Sequence, residues 1–312
     1  MSRGRKTFLL MTLVLGIFFL DSQENNPRIV SLSTTHSEIL LELGAHKYLA
    51  AVDKHVSKEG LKNIKRVDSY IVNTDEILSL QPTHIILAFK NEELEQIFSG
   101  SDTDLILLPP AKNLNEVYDQ ILTLSKLVNK ERVAQNIVEK MKKRKFEIMS
   151  IVKPSGKRIY HELGYSYGIY SPNKNSLLGS FYRELGFVNV VDDINTQEEY
   201  PKIEEALIIK QNPEIIIVGH KEGVGSRVEN RPSWSNISAV KNQKIIYLEE
   251  NLANNWGVSS VDLLEEIATE TDLIQKGENK EIDILYWLFY IVVIIFSVLI
   301  MNNRTRKIKE HS

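Results

Sequence analysis

Residues 75–89 have the sequence DEILSLQPTHIILAF, in which a helix, a proline and a buried strand follow one another. The apolar residues before Pro82 have helical spacing, and Pro82 ends the helix because proline disfavours the α conformation at the preceding residue. Residues 84–89 are short, almost entirely apolar and rich in isoleucine, which is typical of a strand buried on both faces of a parallel sheet. The stretch therefore predicts one αβ unit.

The same layout occurs a second time in residues 204–218, EEALIIKQNPEIIIV, where Pro213 lies 131 residues after Pro82. Residues 28–32 and 157–163 predict the first strand of each half. Each is followed by a predicted loop and then by a helix that ends at a glycine. Strand and helix alternate in both halves, so we predict an α/β fold with mostly parallel sheets.

Between the two halves the pattern becomes purely helical. Residues 113–151 form two amphipathic segments separated by Asn129 and Lys130, and the second is about 20 residues, or about 30 Å, long. We expect one long helix to join two lobes. The predicted boundaries are 27–125 for the first lobe, 126–152 for the linking helix and 153–270 for the second lobe.

Both ends of the chain carry apolar segments. Residues 1–26 predict a signal or anchor segment, either cleaved or retained, because basic residues precede a short apolar run. Residues 284–301 contain no charged residue and would form about 27 Å of helix, so they predict a transmembrane helix. Residues 271–283 form the stalk before it and 302–312 a basic tail. Basic residues on the outer side of both apolar runs predict cytoplasmic termini and an extracytoplasmic domain at the cell membrane.

Composition narrows the function further. The chain has 312 residues and a formal charge of −3; residues 3–6 contribute +3 and residues 304–310 contribute +3, which leaves −9 for the part between them. This negative charge argues against a nucleic-acid-binding protein. The absence of cysteine excludes disulfides, thiolate metal sites and a lipid-modified cysteine.

Residues 27–270 resemble the substrate-binding proteins of ABC importers for ferric siderophores, haem and cobalamin, the class with a single-helix hinge. The resemblance depends on the order and spacing of segments over both lobes, among them RIVSLSTTHSEIL at 28–40, the stretch 75–88, residues 176–190, residues 205–218 and PSWSNISAVKNQK at 232–244. It implies lobes that move little and a metal chelate bound in the cleft between them. It also implies an ABC permease and its ATPase as partners, and no resident cofactor.

Loops at the carboxyl ends of the strands are the usual binding positions of open α/β sheets, and they give the candidate ligand contacts. The first lobe contributes Thr34, Thr35, His36, Tyr70 and Lys90. The second lobe contributes Tyr165, Tyr167, Asn173, His220, Asn255 and Trp256. Aromatic side chains would favour a large planar chelate, whereas Trp234 is expected to pack in the core. His36 is interpreted either as an axial metal ligand or as a hydrogen-bonding residue, and the second role is favoured.

The resemblance also implies one acidic residue on each lobe that docks on arginines of the permease. Asp75 fits this role because it lies seven residues before Pro82, as in the family. In the second lobe the spacing departs by one, so the role falls on Glu204 or Glu205. Charges at the rim of an interface steer encounter and orientation more than they add affinity. The alternative is that these acids only stabilise the first turn of a helix.

Three other functions remain open. Residues 164–168 match G-x-S-x-G with Ser166 in the nucleophile position, which would indicate an extracytoplasmic serine hydrolase; the loop that follows, where that motif requires a helix, argues against it. A zinc or manganese binder would need three converging histidines and a carboxylate, which the spacing does not predict. A ligand-sensing domain without transport would retain the same fold. We expect a binding protein and not an enzyme.

Overall fold

The computed structural model describes residues 26–57, 61, 63–165, 168–221, 227–253 and 255–274. The predicted N-terminal segment (except residue 26), transmembrane helix 284–301 and basic tail lie outside these residues, as does the stalk beyond residue 274. Within the described ranges no helix is long and apolar enough to span a membrane. The described residues divide into two compact units, which we call unit 1 (26–139 and 255–258) and unit 2 (140–253 and 259–274).

Unit 1 contains a parallel sheet, and helices alternate with its strands along the chain. Its strands are β1 (Ile29–Leu32), β2 (Leu49–Asp53), β3 (Lys65–Val67), β4 (His84–Leu87) and β5 (Asp104–Leu107). Its helices are α1 (Thr34–Glu42), α2 (Thr74–Ser79), α3 (Glu92–Ile97), α4 (Leu114–Leu127) and the first part of α5 (Glu131–Ile151), with a 3₁₀ helix at His46–Tyr48. Among the described residues the strand order is β3-β2-β1-β4-β5, and every pairing is parallel.

Unit 2 contains a second, separate parallel sheet. Its strands are β6 (Arg158–Glu162), β7 (Val188–Asn189), β8 (Ile215–Val218) and β9 (Ile245–Tyr247). Besides the end of α5, its helices are α6 (Leu177–Glu184), α7 (Glu205–Gln211), α8 (Ser238–Lys241), α9 (Glu250–Ala253) and α10 (Ser260–Glu270), and 3₁₀ helices lie at Val228–Asn230 and Pro232–Trp234. In this described part the order is β7-β6-β8-β9, again all parallel. The predicted α/β class is confirmed.

The helix, proline and strand arrangement is built the same way in both units. Gln81 and Asn212, each directly before a proline, have φ angles of 46° and 47°, because the right-handed conformation is disfavoured there. A left-handed residue ends the helix. An arginine at the start of the first strand then holds the turn: Arg28 Nε donates to the Leu80 carbonyl, and Arg158 Nε donates to the Asn212 carbonyl at 3.1 Å.

Each unit has its own apolar core. In unit 1 the four side chains of β1 and three of β4 are buried, so this sheet is covered on both faces. In unit 2 the wholly buried Trp234 packs edge-on against Tyr160, with 5.9 Å between ring centroids. The predicted packing role of Trp234 is confirmed.

The structure differs from the sequence prediction at three places. Residues 34–36, predicted as a loop, are the first turn of α1, because Ser33 Oγ accepts a hydrogen bond from His36 N at 3.4 Å and caps the helix. The joining helix begins at Glu131 and not at residue 126, since Asn129 has a φ of 52° and interrupts the helical path. The short strands β3 and β7 were not predicted, because three and two residues are too few to show a pattern.

Candidate functional site

Parallel strands place their carboxyl ends at one edge of each sheet, so the loops that follow the strands of unit 1 share an edge. Thr34 follows β1, His55 follows β2, Tyr70 follows β3, and Phe89 and Lys90 follow β4. Three of the predicted ligand residues, Thr34, Tyr70 and Lys90, lie on segments that follow strands at this edge.

A buried carboxylate, Asp53 at the end of β2, connects the loops of unit 1. Its Oδ1 accepts hydrogen bonds from Thr34 Oγ1 (2.8 Å), His55 N (2.8 Å) and His55 Nδ1 (3.0 Å), and its Oδ2 accepts one from Ser69 N (3.2 Å). Burial alone would raise the pKa of Asp53, but the hydrogen bonds from Ser69, Thr34 and His55 lower it below its usual value. A single anionic group thus fixes the ends of three strands.

The loop after β3 presents apolar side chains to solvent. Tyr70 is 82% exposed and Ile71 is 78% exposed, although Asp68 Oδ1 accepts hydrogen bonds from the backbone N–H of both, at 2.9 and 3.1 Å. A salt bridge of 2.5 Å between Asp68 and Lys54 fixes the loop further. An ordered loop with exposed apolar tips is typical of a binding surface. Phe89, 67% exposed, follows the neighbouring strand β4.

Four predicted residues lie inside the structure and not on a loop surface. Thr35, His36 and Asn255 are buried in unit 1, and Asn173 is buried in unit 2. Asn173 Nδ2 donates to the Glu198 carbonyl at 2.6 Å and its Oδ1 accepts from Asn175 N at 2.9 Å. Asn255 Oδ1 accepts from Gly257 N at 2.7 Å. The hydrogen bonds of Asn173 and Asn255 hold their loops in place, and Thr35 is part of the first turn of α1.

His36 has the hydrogen-bonding role that the sequence analysis favoured. It is wholly buried, its Nε2 lies 3.1 Å from Gln120 Oε1, and Gln120 Nε2 donates to the Pro109 carbonyl at 2.6 Å. Trp256 lies edge-on to the ring at 6.3 Å between centroids. A histidine without solvent-exposed surface offers no coordination site to a ligand at the edge of the sheet.

In unit 2 the strands β6 and β8 end at a buried ionic cluster. Glu162 is wholly buried and forms a bidentate salt bridge with Arg231. Each carboxylate oxygen accepts a hydrogen bond from one guanidinium nitrogen at 2.7 Å. His220 Nε2 lies 2.9 Å from Glu162 Oε1. The Arg231 guanidinium stacks on Tyr165 at 3.6 Å from the ring centroid and on Trp234 at 4.6 Å. Burial would raise the pKa of Glu162, but hydrogen bonds from Arg231 and His220 lower it.

A cavity of about 490 Å³ opens beside this cluster. Its lining is part cationic and part aromatic, and comprises Val218, His220, Lys221, Arg227, Val228, Arg231, Tyr247, Leu248 and Glu249. Arg227 stacks on Tyr247 at 4.8 Å and pairs with Glu229 at 2.8 Å. The volume suits a small-molecule ligand. The predicted residue His220 lines the cavity, Tyr165 stacks on its Arg231, and the predicted residues Ser166 and Tyr167 lie outside the described residues.

The predicted docking acids differ in their surroundings. Asp75, in the first turn of α2, and Glu204, directly before α7, are both exposed. Glu205 is partly buried, and its Oε1 accepts hydrogen bonds from Trp234 Nε1 (2.5 Å) and Ser233 Oγ (2.8 Å). Glu205 therefore has an internal structural role in unit 2.

Four residues of these networks were not predicted from the sequence: Asp53, His55, Glu162 and Arg231. The signal for two of them was present, because Asp53 and Glu162 are acids at the ends of otherwise apolar strands, where an unpaired charge would be costly. No group of three or more histidine, aspartate or glutamate side chains within the described ranges is placed to hold a metal ion.

Comparisons with known proteins bear on the family and the fold of this chain. The profile of a family described as periplasmic binding protein matches residues 29–252. A Bacillus subtilis protein named uncharacterized ABC transporter substrate-binding lipoprotein YvrC is 24% identical over 253 residues, which cover 77% of this chain and 78% of that protein.

Solved structures share the fold. The vitamin B12 binding protein BtuF of Vibrio cholerae has a TM-score of 0.69 at 21% identity and covers 80% of this chain and 98% of its own. The haem binding protein HutB of the same organism has a TM-score of 0.69 at 18% identity and covers 80% of this chain and 100% of its own. At these identities the likeness concerns the fold alone.

Substituting Glu162 by glutamine tests the buried cluster. The change leaves the Arg231 guanidinium buried without a negative partner, so we expect the free energy of unfolding to fall by about 3 kcal/mol or more. The exposed Glu249, 3.8 Å from Lys221, is the control, and Glu249→Gln should change stability by less than about 0.5 kcal/mol. Urea denaturation measures both. Equal, small effects of the two variants would contradict a structural role for the pair.

Two buried histidines predict how stability depends on pH. Burial lowers the pKa of His36 from 6.5 to about 4 and that of His161 from 6.5 to about 3, the latter with help from the neighbouring His220. The unfolded chain therefore takes up protons below about pH 6.5 while the native state does not, so stability falls as the pH is lowered.

On going from pH 7 to pH 5, each of these two histidines should lower the free energy of unfolding by roughly 2 kcal/mol. The free energy of unfolding is measured at both pH values, and in His36→Gln the difference between them should be smaller by one such contribution. His46→Gln, at an exposed position, is the control and should change that difference much less. A pH dependence unchanged by His36→Gln would show that this ring is not kept neutral by burial.

Proposed function

This chain belongs to the periplasmic binding protein family, and we propose that it is the membrane-anchored, extracytoplasmic substrate-binding component of an ABC importer, with a metal chelate as its ligand. The observation that carries the proposal is that the carboxyl edges of both parallel sheets have ordered loops with binding chemistry, held by the buried carboxylates Asp53 and Glu162. Such edges are the binding positions of open α/β sheets.

The family and the side chains at these edges support the proposed ligand class. The similar proteins of Vibrio cholerae are named for vitamin B12 and haem, which are large planar metal chelates. We propose Tyr70 and Lys90 in unit 1, and Tyr165 and His220 in unit 2, as ligand contacts, with Trp256 and Tyr167 as further predicted contacts. Thr34, His36, Asn173 and Asn255 are proposed to keep the binding loops in place through their hydrogen bonds, and Thr35, which is buried in α1, is not proposed as a contact.

Anchoring is proposed to use the transmembrane helix at residues 284–301. The Bacillus subtilis relative is named a lipoprotein, whereas this chain has no cysteine to carry a lipid. An apolar C-terminal helix followed by a basic tail provides an alternative anchor with the tail in the cytoplasm. The apolar segment at residues 1–26 then directs export of the domain.

The permease and its ATPase are the proposed protein partners. Asp75 and Glu204 are the proposed docking acids because both are exposed, and an exposed carboxylate can meet an arginine of a partner without breaking an internal bond. Glu205 is less suited, since it already accepts hydrogen bonds from Trp234 and Ser233.

A ligand screen tests the binding function. Haemin, aquocobalamin and several ferric siderophores are added to the full chain in detergent, and one of them should raise the apparent stability by roughly 2.7 kcal/mol at a hundredfold excess over its dissociation constant. Tyr70→Ala should weaken that ligand's binding about tenfold without unfolding the protein, because the side chain is 82% exposed. Thermal unfolding and titration measure both effects.

Phe146→Ala is the control, since Phe146 is 62% exposed but lies on α5 and not on a carboxyl-edge loop. It should leave the affinity unchanged. Absence of any stabilisation by every chelate would contradict the proposed function.

Charge reversal tests the docking acids. Asp75→Lys and Glu204→Lys should each reduce chelate uptake into vesicles that contain the permease and ATPase by about tenfold or more, with chelate affinity unchanged. Glu205→Lys should instead lower protein stability, because it removes the acceptor of the Trp234 N–H. Glu139→Lys, at an exposed position of α5, is the control and should have no effect. Normal uptake by both docking variants would rule out these residues as the docking sites.

A further inference from the structure

His55, which follows β2 in unit 1, has one ring nitrogen fixed by a buried acid. Its Nδ1 lies 3.0 Å from Asp53 Oδ1, and the same oxygen accepts the His55 backbone N–H at 2.8 Å. An ionised carboxylate only accepts hydrogen bonds, so Nδ1 carries the proton in this contact. In the neutral imidazole the lone pair therefore lies on Nε2.

This arrangement is the one that metal-binding histidines need. A histidine that ligates a metal through one nitrogen almost always donates the other N–H to a carboxylate, a carbonyl or water, which fixes the tautomer and raises the basicity of the ligating atom. Asp53 is well suited because it is wholly buried and is itself fixed by Thr34 and Ser69. The His55 side chain is 47% exposed, so it is held at Nδ1 while nearly half of its surface remains open to solvent.

The residues around the His55 ring indicate whether it would bind a bare metal ion or a metal already held by a chelator. No cluster of three or more suitable side chains is available to a bare ion among residues 26–57, 61 and 63–139 of unit 1 or in the other described ranges. A single histidine suits a metal whose other ligands come from a chelator. Tyr70 lies edge-on to His55 with 5.5 Å between ring centroids, and Tyr70 and Ile71 present exposed apolar surface beside it.

We propose that His55 Nε2 is an axial ligand to the metal of a planar tetrapyrrole, with Asp53 as its positioning residue and with Tyr70 and Ile71 in contact with the macrocycle. The Nε2 lone pair replaces a water at the open axial position of the metal, and the Nδ1 proton stays on the ring, bonded to Asp53. This inference builds on the proposed function and specifies its ligand class. A hexadentate siderophore leaves no open position on its iron and gains nothing from His55.

Spectroscopic titration of the full chain in detergent tests the assignment. The probes are haemin, aquocobalamin and metal-free protoporphyrin IX. For the metal tetrapyrrole that binds, the wild type should show the spectrum of an imidazole-ligated metal, and His55→Ala should remove that spectrum and lower the affinity at least tenfold. Affinity for metal-free protoporphyrin should change less than twofold, because it has no metal to ligate. Imidazole added to His55→Gly should restore the spectrum.

Two further variants separate ligation from folding. His46→Ala removes an exposed histidine of the 3₁₀ helix His46–Tyr48 and should leave the spectrum and the affinity unchanged. Asp53→Asn retains an acceptor for Nδ1 but removes its charge, so it should raise the reduction potential of bound haem while the histidine spectrum persists. Thermal unfolding of each variant without ligand shows that it is folded.

The outcomes are distinguishable. An unchanged spectrum and affinity in His55→Ala overturns the proposal, as does failure of the wild type to bind either metal tetrapyrrole. If a ferric siderophore then binds in the same screen, the proposed importer function is retained and only the proposed role of His55 as an axial ligand is rejected. If no chelate binds at all, both are contradicted.

Discussion

Burial of both faces of a parallel sheet is the constraint on which the rest of this structure depends. The β1 strand is wholly buried, as is β8 in the other unit, so the centre of each sheet has no free face for polar chemistry. What remains are the edges. The amino edges are occupied by the turns through Pro82 and Pro213, which the arginines at positions 28 and 158 hold in place. The carboxyl edges are left for function.

A buried anion organises each carboxyl edge. Asp53 is the last residue of β2 and Glu162 the last residue of β6, and hydrogen bonds keep the pKa of each below its usual value despite burial. Their partners differ: Asp53 accepts from neutral groups and one histidine, whereas Glu162 is paired with the guanidinium of Arg231. Both units thus place a buried anion at the carboxyl edge but present different surfaces: exposed Tyr70, Ile71 and Phe89 beside Lys90 in unit 1, and a cavity with cationic and aromatic residues in unit 2.

How much of this could be predicted from the sequence depends on the range of the interactions. The helix, proline and strand layout at Pro82 and Pro213 is local and was predicted correctly, because periodicity and one rigid residue determine it. The Asp53 and Glu162 networks depend on partners up to 69 residues away, which no local pattern contains. For the same reason Thr35, His36 and Asn173 were predicted on loops but lie in the interior.

Hydrogen–deuterium exchange of the full chain with and without a bound chelate tests most directly the proposal that a chelate binds at carboxyl-edge loops. We expect slower exchange on ligand addition at residues 68–71 and 88–90 in unit 1 and at residues 218–221 and 247–249 in unit 2. Residues 81–83 and 212–214, at the amino edges, should show no change. Protection confined to the amino edges would contradict the proposal.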